Sequence, residues 1–183
     1  NNLTRIMKVA SATLTTLCLA AFFSVAAAAA PPEDCLNVLT DKGNISGVLN
    51  EDAGVCAYKG VPFAAPPVDD LRFAKPQPPE PWEGTLEADE FGSDCIQYPI
   101  SLFGSTSVQG SEDCLYLNLW HPAGPEEEPL PVMVFIYGGG FIYGSGSWDT
   151  YEGSRLAKMG GVVVVTFNYR LGPFGFMAHP ALA

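Results

Sequence analysis

Two short runs of β-branched and aromatic residues, VMVFIY at 132–137 and VVVVTFNY at 162–169, constrain this chain more than any other feature. Each is too short for a typical buried helix and too rich in Val, Ile and Phe to prefer one, so both read as strands covered on two faces. Between them SRLAKM, at 154–159, predicts a short helix that Gly160 and Gly161 stop. Strand, loop with helix, strand is a parallel crossover unit, and the fold class it predicts is α/β. Upstream, Leu115, Leu117 and Leu119 alternate with Tyr116, Asn118 and Trp120, which predicts another strand. Earlier still, LNVLT, NISGVLN and VCAYKG are separated by the turn sequences DKGN and EDAG. They predict a small antiparallel meander leading into a mostly parallel central sheet. Seven prolines between Val61 and Glu83 forbid a helix or a central strand there and predict an extended surface segment.

The amino terminus predicts export. Val9 to Ala30 carries no charge, follows Lys8, and ends in the small residues Ala26 to Ala30 before Pro31 and Pro32. That is the layout of a signal peptide. A membrane anchor is the competing reading, because the run is long enough to span. Its Ala, Ser and Thr content makes it only mildly apolar, which argues against a stable anchor. The first Met is Met7, so residues 1–6 read as upstream gene-call residues, 7–29 as signal peptide, and 30–183 as the folded part. The expected location is secreted or periplasmic. With 9 Lys plus Arg against 20 Asp plus Glu, a net charge of −11, the chain lacks the basic face that phosphate binding needs, which excludes nucleic acid as a partner. The acidic stretch from Glu80 to Asp94 reads as a solvated face. Nothing in the sequence speaks to oligomeric state.

Cys18 departs with the leader, leaving Cys35, Cys56, Cys95 and Cys114 in an oxidising compartment. Four cysteines allow three pairings. Pairing of sequence neighbours, Cys35 with Cys56 and Cys95 with Cys114, closes short loops and is the expectation. Zinc competes poorly, because the spacings are long and His121 and His179 lie near none of the four.

Gly138, Gly139, Gly140 and Phe141 follow VMVFIY directly. Consecutive glycines at the carboxyl end of a buried strand let the backbone reach positive φ and bring amides close to a ligand. Neither G-x-G-x-x-G nor G-x-x-x-x-G-K-[ST] can be aligned there, which disfavours a nucleotide. The remaining chemistry is an oxyanion hole, in which amides stabilise charge developing on a carbonyl oxygen. A plain glycine turn is the alternative.

SEDCLYLNLWHP at 111–122, YGGGF at 137–141, NYRLGPFGF at 168–176 and YKGVPFAAPPVDDLRF at 58–73 together resemble the type-B carboxylesterase and cholinesterase family of α/β-hydrolases. The resemblance runs from about Cys35 to the end. It implies the amino-terminal portion of an α/β-hydrolase fold and a serine esterase acting on a small-molecule ester, with no cofactor or metal. It further implies that Gly139 and Gly140 supply the oxyanion-hole amides and that Tyr137 is not a catalytic base. By the same resemblance Cys95 and Cys114 are a disulfide pair, Arg72 and Glu112 a structural ion pair, and Arg170 an arginine whose acidic partner lies farther along. His121 and His179 match no catalytic histidine. No serine after the leader has glycine two residues before and two after, and Ser145 in GSGS is only an imitation. The expected reading is therefore an esterase of which this chain carries the oxyanion-hole half without Ser, His or acid. The alternative is a non-catalytic cholinesterase-like protein used for binding or adhesion. Taken alone, the chain is expected to leave 162–169 as an apolar sheet edge and to be inactive.

Overall fold

The computed structural model describes residues 35–98, 107–125 and 128–180. The predicted leader and Cys18 lie outside the described residues. Among those residues no helix is long and apolar enough to cross a membrane.

The strands fall into two sheets. In the smaller, β1 (Val38–Leu39) pairs antiparallel with β2 (Asn44–Ser46), which pairs parallel with β5 (Thr85–Glu87). The DKGN turn is closed as its composition suggests: Thr40 Oγ1 accepts from the amides of Lys42 and Gly43 at 3.1 and 3.2 Å. The larger sheet contains β3 (Val48–Asn50), β4 (Val55–Pro62), β6 (Tyr116–Pro122), β7 (Val132–Phe135) and β8 (Val163–Phe167), in the order β3-β4-β6-β8-β7. The expected single meander is thus divided, because NISGVLN passes from one sheet to the other at Gly47.

The α/β class holds, with two corrections. The larger sheet is mixed rather than mostly parallel: β3–β4, β4–β6 and β6–β8 are antiparallel, and only β7–β8 is parallel. A parallel pair needs a crossover, and only the 136–162 connection provides one here. The second correction concerns the edge. The 162–169 run is not at the rim, because β8 is hydrogen-bonded on both sides, to β6 at Leu117↔Phe167 and to β7 at Val134↔Val165. Among the described residues the outer strands of this sheet are β3 and β7, and the apolar one is β7. Nor is β7 covered on two faces: its residues are exposed throughout, from 63% at Val132 to 39% at Phe135. β8 has one buried face, Val164 and Thr166.

The crossover helix α1 (Ser154–Gly160) ends where the sequence says it should, with Gly161 in the left-handed conformation at φ 57°. Its Ala157 packs on Trp120, Val55, Ala57 and Val164. Trp120 is fully buried, yet its Nε1 has no acceptor among the described residues. Burying a Trp side chain is worth about 5 kcal/mol, against about 1–3 kcal/mol for one orphaned N–H, so packing decides the position. A second helix, α2 (Gly172–Phe176), opens with Pro173 in its first turn and was not anticipated. Two disulfides, Cys35–Cys56 and Cys95–Cys114, join sequence neighbours.

Candidate active site

Because β7 and β8 run parallel, the segments leaving them emerge at the same end of the sheet. After β7 come Ile136, Tyr137 and the three glycines; after β8 come Asn168, Tyr169 and Arg170. Each of these last three holds a different part of the chain. Asn168 Oδ1 accepts from the Gly146 amide at 2.9 Å and from Ser145 Oγ at 3.2 Å, while its Nδ2 donates to the Ser93 carbonyl at 3.1 Å. Tyr169 stacks on Tyr137 with centroids 4.5 Å apart, and its hydroxyl donates to the Tyr137 carbonyl at 2.8 Å. Arg170 donates to the carbonyls of Arg72 and Ala74, both at 2.9 Å. Those carbonyls take two of its five N–H donors, and among the described residues it has no carboxylate partner.

The glycine loop has the backbone its composition foretells. φ is 138° at Gly139 and 60° at Gly140, and Phe141 also sits at 63°. The Gly139 carbonyl accepts from the amides of Ile142 and Tyr143 at 3.2 and 3.3 Å, and the Phe141 carbonyl from Gly172 at 2.7 Å. The amides of Gly139 and Gly140 have no acceptor among the described residues. Gly140, Phe141 and Ile142 line an open hollow of about 430 Å³ shared with Gly172, Pro173, Phe176 and Met177. Gly139 does not reach its wall and is partly covered.

The other singled-out residues separate from this loop. Tyr137 is buried, and desolvation pushes its hydroxyl well above the usual phenol range, so it stays protonated and structural. Ser145 is fully buried, with its oxygen engaged by Asn168 and by the Ser147 amide at 2.9 Å. His121 lies on β6 opposite Cys56 and stacks on Tyr58 at 5.8 Å. His179 is exposed beyond α2. Arg72 Nε meets Glu112 Oε2 at 2.6 Å, and that hydrogen bond raises the arginine's pKa. All four described cysteines are in disulfides, and among the described residues no cluster of His, Cys, Asp and Glu could hold a metal.

Sequence reasoning passed over a layer of buried amides beneath the loop. Asn118 Oδ1 accepts from the Gly60 amide at 3.0 Å, its Nδ2 donates to Thr166 Oγ1 at 3.0 Å, and Thr166 donates to the Gly146 carbonyl at 2.8 Å. Gln97 clasps Gly144 from the other side. The available signal was an Asn inside LYLNLW and another closing VVVVTFN, polar groups that apolar strands bury only when paired.

Residues 34–181 match the family model described as Carboxylesterase family. The fumonisin B1 esterase of Sphingopyxis macrogoltabida is 51% identical over 144 residues, covering 79% of this chain and 26% of that protein. The para-nitrobenzyl esterase of Bacillus subtilis is 49% identical over 142 residues, covering 76% and 28%. A solved PNB esterase superposes with a TM-score of 0.72 at 45% identity, over 80% of this chain and 29% of that one. The chain therefore spans about a quarter of the length of the curated relatives it matches.

Proposed function

The chain belongs to the carboxylesterase family, and from that premise we propose that it is the oxyanion-hole half of an exported serine esterase whose nucleophile, acid and histidine lie outside these residues. In this reading the nucleophilic serine attacks the carbonyl carbon of a carboxylic ester. The carbonyl oxygen takes up negative charge and is held by the N–H groups of Gly139 and Gly140. Collapse expels the alcohol, and water then releases the acid from the acyl-enzyme. The observation that carries the reading is a pair of adjacent glycine amides at positive φ that donate to no described residue, in a loop pinned at both ends. Free donors held in place before reaction cost no reorganisation when charge appears. Two disulfides suit an oxidising compartment and agree with export.

The test is made on the complete gene product. It is expected to release p-nitrophenol from p-nitrophenyl butyrate with an initial burst and to be titrated stoichiometrically by an organophosphate. A folded, complete protein with neither burst nor labelling is instead the non-catalytic binding or adhesion protein.

A further inference from the structure

We infer that Gln97 is a positioning residue that ties the oxyanion-hole loop to the Cys95–Cys114 bridge; the inference rests on the reading of Gly139 and Gly140 given above. Three successive glycines form the least constrained backbone a chain can offer, so a loop built on them keeps its amides aligned only if its ends are held. Tyr169 holds the entrance at Tyr137. The exit is Gly144, and there a single side chain takes both backbone groups. Gln97 Oε1 accepts from the Gly144 amide at 2.8 Å, and Gln97 Nε2 donates to the Gly144 carbonyl at 2.9 Å. The second Nε2 proton goes to the Cys95 carbonyl at 3.1 Å.

Gln97 is itself immobilised. It is buried, and its main chain pairs with Gln109 in both directions at 3.0 and 2.9 Å. Two residues earlier, Cys95 is bonded to Cys114, and the Ile96 amide donates to the Ser111 carbonyl at 3.2 Å. The route from this brace to the amides is one peptide plane. The Gly144 N–H that Gln97 receives shares its rigid plane with the Tyr143 carbonyl. That carbonyl lies so close to Gly139 that a Cβ on Gly139 would overlap it. The Tyr143 amide also donates to the Gly139 carbonyl at 3.3 Å. A shift of Gly144 is therefore passed to Gly139 by contact on one side and by a hydrogen bond on the other.

Only a neutral carboxamide supplies an acceptor and two donors in this geometry. Gln97→Glu keeps the acceptor but sets a carboxylate against two carbonyls, and Gln97→Met keeps the length but none of the bonds. In the complete enzyme each is expected to lower kcat about tenfold with KM nearly unchanged, the signature of a misplaced transition-state donor. Cys95→Ser combined with Cys114→Ser is expected to do the same, and adding Gln97→Met to that pair is expected to lower kcat no further. An activity-independent readout accompanies these: hydrogen exchange at the Gly144 amide should quicken about tenfold in Gln97→Met while the amides of β6 and β8 keep their protection. Wild-type kcat in both Gln97 variants, or unchanged exchange at Gly144, overturns the inference. Gly139→Ala run alongside separates the two ideas. If it lowers kcat while the Gln97 variants do not, only the coupling fails; if it too is without effect, the oxyanion reading fails.

Discussion

Gly139 and Gly140 are neighbours of the same residue type, yet replacing each with alanine should have unequal consequences. At Gly139, φ is 138°, a value L-residues rarely adopt, and the new Cβ would overlap the Tyr143 carbonyl oxygen. That oxygen is backbone and its peptide is clasped by Gln97, so it cannot turn away as a side chain would. The loop must open by about 1 Å or more, and a misplacement of that size costs about a hundredfold in rate, close to the hundred- to thousandfold lost when one oxyanion donor is removed. At Gly140, φ is 60° and a Cβ meets nothing within 4 Å. The left-handed conformation there costs alanine only about 1 kcal/mol of stability, and the amide need not move. In the complete enzyme, steady-state kinetics on p-nitrophenyl butyrate should show kcat falling about a hundredfold for Gly139→Ala, and within about fivefold of wild type for Gly140→Ala. Equal losses in the two variants would refute the steric part of this reasoning. An unchanged kcat in Gly139→Ala would remove Gly139 from the mechanism altogether.

The isolated chain should self-associate through β7, whose apolar residues and unpaired backbone face solvent without a charge or proline to blunt them. Val134→Lys should shift sedimentation at micromolar concentration toward monomer, and a wild-type chain that is already monodisperse refutes the assignment of the edge. The same isolated chain should give no saturable turnover of p-nitrophenyl butyrate. Alkaline titration followed at the phenolate band should show a late class of tyrosines: desolvation pushes Tyr116 up to about 12 and raises Tyr137 and Tyr169 in the same direction. Since the folded pKa exceeds the unfolded one near 10, the stability these groups contribute is complete below pH 10 and is lost as pH climbs toward 12; seven tyrosines titrating together near 10 in the folded chain would contradict this. A non-reducing peptide map should link Cys35 only to Cys56 and Cys95 only to Cys114, and with loops of 21 and 19 residues the loss of either bridge should cost about 3 kcal/mol in denaturant titrations.

What could be read from the sequence was whatever is written locally. β7, β8 and α1 announce themselves because a β-branched run, a short amphipathic stretch and a Gly-Gly stop need no distant partner to be recognised. The glycine loop is legible for the same reason. Strand order was not, because hydrophobicity says that a strand wants neighbours without saying which: β8 is placed by pairing Leu117 with Phe167, a contact remote in sequence. The edge expected at 162–169 lies at β7 instead, because β8 is paired on both sides. The pins of the loop were hidden for a related reason. Tyr169 reaches Tyr137 across 32 residues and Gln97 reaches Gly144 across 47, and no local pattern marks a glutamine as the partner of a distant glycine.

The corrected strand order brings the two unusual features of this chain onto a single strand. β7 is both the uncovered edge and the strand whose carboxyl end opens into the glycine loop. Tyr169, Asn168 and Gln97 hold the loop and its continuation in place, and the open hollow beside Gly140, Phe141 and Ile142 is shared with residues of α2. A strand laid parallel along β7 would lie about 4.8 Å away and would end in its own turn beside Gly138–Gly140. One element could thus cover the apolar edge and deliver a nucleophile to the amides. The consequence is a reversal of sign for Val134→Lys, which should improve the isolated chain by blunting a free edge. With that edge already paired in the complete enzyme, a lysine at 134 would have no edge to blunt and would stand among apolar neighbours on an interior strand, so it should lower both thermal stability and kcat. A complete enzyme that tolerates Val134→Lys without loss would mean that the nucleophile reaches the loop from elsewhere.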